Sequence, residues 1–271
     1  MSKSGVAFGS ACGAALLFLP LSAQARDPDK NNRDWLVTFS LAADAAPEFP
    51  GASKLQLAPI PSIDLRRVGD PLPFEPPDQS VGLGLLGNRD GFDFGPAGQI
   101  RLKREQEDVG APVGDVGFTV EAGAFVQAWA TRNLRLRAEG RKGIGGHDGW
   151  LGDLSADAVL RDNDRTVFSV GPRVRLADDN FVRTYFGISP AASARTGIPV
   201  YQPHGGLYSV GALTNIVHQL SPAWGVTFFA GYDRLVRGAA ASPIVRRFGS
   251  PNQLSAGLGL TYTFILHRHR Q

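Results

Sequence analysis

The feature that most constrains this chain is an alternation of period two, held over runs of about ten residues and repeated from residue 35 to residue 264. In "NQLSAGLGLTYTF" at 252–264, Leu254, Ala256, Leu258, Leu260, Tyr262 and Phe264 share one parity. Ser255, Gly257, Gly259, Thr261 and Thr263 share the other. Successive side chains of a strand point to opposite faces, so each such run predicts a strand with one apolar and one small or polar face. Further runs fall at 35–41, 55–65 (interrupted by proline), 81–85, 96–102, 118–128, 134–141, 154–160, 168–176, 207–217 and 224–232. Turn residues such as Thr131-Arg132-Asn133, Asn163-Asp164 and Ser221-Pro222 separate several of them.

Which solvent the apolar face meets decides the fold class. In a soluble sandwich that face is the inner one; in an outer-membrane barrel it points into lipid. Run length favours the membrane, because a tilted strand needs roughly 9–11 residues to cross hydrocarbon, whereas an ordinary strand has about 5–6. The polar parity points the same way. Arg135, Arg137, Glu139 and Arg141 on one strand would lie beside Asp153 and Asp157 on the next, with Arg173 and Arg175 on the strand after that and Arg101 on an earlier one. Such a ladder cannot form the dry core of a sandwich, but it suits a polar barrel interior. The expected fold is therefore all-β: a transmembrane antiparallel β-barrel of the bacterial outer membrane. Eleven runs are clear, and single-chain barrels have an even number of strands. "FVRTYFGI" at 181–188 supplies a twelfth, with ten strands as the alternative.

The N-terminus fits that destination. Lys3, the apolar stretch 6–21 and Ala23-Gln24-Ala25 read as a cleavable secretory signal peptide over 1–25. The expected organisation is a single barrel domain at 26–264 and a short basic tail at 265–271. Removing the leader would take away Cys12, the sole cysteine, and lower the formal charge from +3 to +2 by the loss of Lys3. No later apolar run approaches the length of a membrane helix. Basic and acidic residues are interleaved, which argues against a nucleic-acid partner. Arginine outnumbers lysine 23 to 5, explained either by genomic base composition or by forked pairing with carboxylates inside the barrel.

Four segments carry a resemblance. "PEFPG" at 47–51, "GIGGHDGWLGDLSADAVL" at 143–160, "TYFGISPAASARTGIPVY" at 184–201 and "SPIVRRFGSPNQLSAGLGLTYTF" at 242–264 resemble, in order, the MipA/OmpV family of outer-membrane proteins. The chain departs from that family in continuing past Phe264 with "ILHRHRQ". The resemblance implies a scaffold that joins a lytic murein transglycosylase to a bifunctional murein synthase, with porin-like or adhesin-like surface proteins as the alternative. It further implies outer-membrane lipid and the barrel-assembly machinery as partners, and neither a cofactor nor a catalytic residue. Its loop positions are candidates for partner contact: Pro47, Phe49, Pro50 and Gly51; Tyr185, Phe186, Gly187, Ser193 and Arg195; Ser242, Pro243, Gly249, Pro251 and Asn252.

Other constellations have plainer explanations. His147 in "GIGGHDG" is expected in a turn, since no helix follows to hold a phosphate. His267 and His269 lack a third ligand for a metal. "RDNDR" at 161–165 is explained by a strand-to-strand turn. A lipase-like serine opposite His218 is not marked in the sequence, so no enzyme is expected. The inward charges leave two readings, a salt-bridged interior or a narrow anion-preferring channel.

Overall fold

The computed structural model describes residues 34–72, 74–86, 91–162 and 165–266. The expected leader over 1–25, the expected turn at Asn163-Asp164, His267 and His269 lie outside the described residues. All eleven alternating runs form strands: β1 (Trp35–Pro47), β2 (Leu55–Arg67), β3 (Val81–Gly82), β4 (Phe92–Arg101), β5 (Thr119–Thr131), β6 (Leu134–Gly145), β7 (Trp150–Asp162), β8 (Thr166–Ala177), β9 (Gly206–Gln219), β10 (Trp224–Leu235) and β11 (Asn252–Leu266). They build one curled antiparallel sheet in the order β2-β1-β11-β10-β9-β8-β7-β6-β5-β4-β3. The first and last strands close on each other, with Trp35 opposite Leu266 and Ala45 opposite Ala256. Strand β11 thus continues two residues beyond Phe264. Among the described residues no ladder joins β2 to β3.

The parity is as the alternation predicts. On β11, Leu258 is 64% and Leu254 59% exposed on the outside, whereas Thr261 and Thr263 are each 5% exposed on the inside. Phe228 on β10 and Leu136 on β6 also face out. Aromatic residues cluster near the end that holds the chain termini: Trp224 meets Tyr262 at 4.8 Å, and Phe39 stacks on Phe264 at 5.9 Å. An apolar outer band edged by aromatic rings is the surface a barrel presents to lipid.

The segment 181–188 is not a strand. Residues Asp179–Phe186 form helix α2, with the Asp178 side chain accepting the Phe181 N–H at 3.0 Å as the N-cap. The reason lies in spacing. Phe181 and Val182 recur four residues on as Tyr185 and Phe186, which puts all four on one helical stripe and would split them across a strand. Four shorter helices accompany it: α1 (Gln106–Val109), α3 (Pro190–Thr196), α4 (Arg237–Ala241) and α5 (Pro243–Phe248).

The two ends of the barrel differ. At the termini end three connections are short, Arg132-Asn133, 163–165 and 220–223, whereas 68–80 between β2 and β3 is longer. At the other end lie 48–54, 102–118, 146–149, 178–205 and 236–251, which carry every helix. Short turns are periplasmic and long loops extracellular in this class of barrel.

Candidate functional site

The interior is filled in three layers. At the long-loop end, α2 to α5 fold over and into the mouth around an apolar core. Phe181, Phe186, Ala192 and Val245 are fully buried there, packed with Phe49, Tyr208 and Ile244. Polar contacts pin this cap. Ser242 Oγ donates to the Phe186 carbonyl at 2.7 Å and accepts the Ile244 N–H at 3.1 Å. The Gln253 side chain accepts the Gly51 N–H at 2.9 Å and donates to the Ala52 carbonyl at 3.0 Å. Gly51 has φ +98°, and a Cβ there would approach Val245 to 2.9 Å, so this turn needs glycine.

Beneath the cap lies the charged layer. Arg141 reaches three carboxylates, Glu121 at 3.0 Å and Glu139 and Asp153 at 2.5 Å each. Arg101 binds Glu121 at 2.8 Å, and Arg137 binds Glu139 at 2.6 Å. Asp157 holds Arg173 at 2.8 Å and Arg135 at 3.5 Å, while Arg175 meets Asp233 at 3.2 Å. The whole predicted ladder thus converges, because register places Arg135 opposite Asp157, Glu139 opposite Asp153, and Asp153 opposite Arg175. Buried ion pairs of this kind hold only when nearly every partner is present, since desolvation penalises a lone charge.

His147 joins this layer. Its Nδ1 accepts the Gly149 N–H at 3.0 Å, so the proton resides on Nε2, which donates to Glu121 at 3.1 Å. Just above, the Arg104 guanidinium donates to the Tyr185 carbonyl at 3.1 Å. Burial pushes the Tyr185 phenol up from its ordinary pKa, against the pull of Arg101 and Arg104, and the ring therefore meets both cations in neutral form. Burial also lowers Arg104, with Tyr185 opposing.

The third layer is a segment that periodicity does not reveal. Residues 68–80, between the two end strands of the sheet, run up inside the barrel from the termini end. Leu72 and Phe74 pack on Val159 and Val167. Asp78 Oδ2 accepts from Arg173 Nε at 2.6 Å, Gln79 Oε1 accepts from Arg135 at 2.7 Å, and Ser80 donates to Glu139 at 2.5 Å. The space left beside Asp78, Arg137, Arg173 and Arg175 is about 20 Å³, room for one or two waters.

The family-motif positions are mostly internal to the cap. Phe49, Tyr185, Phe186 and Ser242 are buried. Gly249 lies in a bridge opposite Ala52, and the Pro251 carbonyl accepts the Leu235 N–H. Pro47, Pro50, Gly187, Ser193 and Pro243 are half-buried, and Pro243 opens α5. Arg195 and Asn252 are exposed, with Arg195 donating to the Pro112 carbonyl at 3.3 Å and Asn252 accepting from Tyr232 and Arg234. His218 pairs with Thr166 Oγ1 at 2.9 Å.

An apolar outer band, a salt-bridged interior and termini on the short-turn side define an outer-membrane β-barrel with a filled lumen. The chain belongs to the family of the MltA-interacting protein MipA, whose family model matches residues 39–264. Curated proteins return no match. Among solved structures, the chain is similar to the outer-membrane channel from Pseudomonas putida F1, at 10% identity and a TM-score of 0.42, covering 89% of this chain and 100% of that one. It is also similar to the NanC porin, at 10% identity and a TM-score of 0.37, covering 84% and 98%. The outer-membrane protease OmpT from Escherichia coli matches at 10% identity and a TM-score of 0.28, covering 86% and 97%. These superpositions are loose, and the fold rests on the chain's own ladder.

Proposed function

We propose that this protein is an anchoring scaffold of the outer membrane, one that holds murein-remodelling enzymes at the inner leaflet and does not conduct at rest. The observation that carries this reading is the filled lumen. The chain's own segment 68–80 and its helical cap occupy both ends of a layer whose arginines are held by carboxylates. A guanidinium held by a carboxylate adds little field for a passing anion. The family name, that of a protein interacting with MltA, supports a murein transglycosylase as the partner, with the bifunctional synthase as the second. Murein lies on the periplasmic side, so the docking face is the short-turn end and not the cap. The exposed motif positions Arg195 and Asn252 are proposed instead for contacts at the outer surface.

The test has two arms. Purified protein on a column should retain a murein transglycosylase and synthase, and in a planar bilayer it should show no steady conductance. Stable anion-selective channels with neither enzyme retained would replace the scaffold by a narrow pore.

A further inference from the structure

We propose that the arginines lining β6, β7 and β8 form a binding track for an acidic, extended peptide, and that segment 68–80 occupies this track as an internal stand-in. This deepens the scaffold reading by giving a partner segment its chemistry; it rests on the lumen being filled, not on which enzyme is held.

In each described hydrogen bond between the segment and the arginines, the segment is the acceptor. Leu72 and Phe74 offer backbone carbonyls to Arg161 at 2.5 Å and Arg135 at 3.4 Å. Asp78 takes Arg173 through both oxygens, at 2.6 and 3.3 Å, and reaches Arg175 at 3.6 Å. Gln79 Oε1 takes Arg135 at 2.7 Å. The segment's sequence is rich in proline, which has no backbone N–H to donate, with Pro71, Pro76 and Pro77 among its described residues. Toward the charged wall the segment also donates once, from Ser80 to Glu139.

The wall does not satisfy the track by itself. Asp157 is shared between Arg135 and Arg173, Asp233 serves Arg175, and Asp153 is engaged by Arg141. Arg161 has no carboxylate partner among the described residues. Once the segment left, the four guanidinium groups of Arg135, Arg161, Arg173 and Arg175 would share two wall carboxylates, Asp157 and Asp233, a balance that calls for an anion.

The hold on the segment is also of a kind that another chain can replace. Between residues 71 and 79 the described backbone–backbone bonds reduce to one, Gln79 N–H to the Pro76 carbonyl, which is local. Among the described residues no strand ladder binds the segment to the wall. Its apolar anchorage is Leu72 and Phe74, both at the short-turn end. A competitor would therefore enter from the periplasmic side, with carboxylates and carbonyls spaced along an extended backbone and an apolar residue at the entrance.

The experiment works in trans. Residues 71–79 are replaced by a Gly/Ser stretch of equal length, and a synthetic peptide of residues 68–80 is titrated onto the purified barrel by fluorescence anisotropy. The peptide should bind, and binding should be lost when Asp78→Lys is made in the peptide or Arg173→Ala in the barrel. Polygalacturonate serves as the non-peptide polyanion. Competition by polygalacturonate with no binding of the peptide would overturn the assignment, as would peptide binding unaffected by either charge change. If the replaced barrel does not show heat-modifiable migration, the full chain carries the test through Gln79→Cys. The sole other cysteine is Cys12 in the leader. Labelling of that thiol by an impermeant maleimide should rise when the acidic peptide is added. Labelling unchanged by the peptide would mean that the segment is a fixed part of the barrel.

Discussion

The two fillings of this barrel are built from different materials. The cap at the long-loop end is a small globular core: eighteen buried apolar residues, helix caps in hydrogen-bond contact, and turns closed by glycine. Segment 68–80 at the opposite end has four residues in its apolar cluster and is otherwise held by side chains to arginine. Burial of apolar area is non-directional and additive, so a core of the first kind cannot be exchanged piece by piece. Charge-assisted hydrogen bonds are directional and transferable to any acceptor of like geometry. One end of the lumen is thus architecture, and the other is an occupied site.

That contrast breaks most readily at Phe186, which is 0% exposed in the middle of the cap. Phe186→Ala should cost about 3–5 kcal/mol, seen as a lower urea midpoint for the heat-modifiable form. Asp78→Asn with Gln79→Ala should lower that midpoint by clearly less, because Arg173 keeps Asp157 as a partner. An equal loss from both would make the segment as structural as the cap. Next in size is the lipid face. Leu258→Arg should cost about 2–4 kcal/mol near the bilayer midplane. Thr227→Arg, on the inward parity of the neighbouring strand, should cost less. Thr261 is a poorer control than Thr227 because its hydroxyl sits where a Cβ at Gly225 would come within 2.6 Å. Equal costs on both parities would invert the faces.

Smaller effects sharpen the picture within the cap. Ser242→Ala removes both the cap of α5 and the bond to Phe186. It should lower stability by about 0.5–2 kcal/mol, with the change in hydrogen exchange confined to 236–251. The smallest effect belongs to Asp179. The Gly205 N–H, with help from Arg183 and His204, holds its carboxyl below the ordinary aspartate pKa. A depressed pKa contributes stability above the unfolded value and loses it as pH falls through the folded one. Asp179→Asn should therefore slightly weaken the loop at neutral pH and flatten its response below about pH 4, read from exchange at Gly205.

Much of this molecule was legible from alternation alone. Period two located all eleven strands and both faces, and adding register brought Arg135, Arg137, Glu139, Asp153, Asp157, Arg173 and Arg175 together without any tertiary information. The helix at 179–186 was missed although its signal was present, in the capping Asp178 and in aromatic pairs four apart. Segment 68–80 carried no such signal. Its prolines exclude helix and ladder, and nothing local tells whether an irregular connection lies outside a barrel or within it. Likewise the motif residues Phe49, Tyr185 and Phe186 resemble surface contacts until the cap folds them inward.

The pairing of β1 with β11 has a kinetic consequence. Thr38 bonds Thr263 across 225 residues, and Gly51 bonds Gln253 across 202. The first strand to emerge during export therefore has half of its hydrogen bonds waiting on the last. Contacts so distant in sequence are slow to form, because the intervening loop must be closed before the pairing repays it. A chain truncated before residue 252 would leave β1 with an open edge and the cap without Gln253. The C-terminal strand is thus a timing element as well as a wall. Until it arrives, no amount of early local structure can commit the barrel to fold.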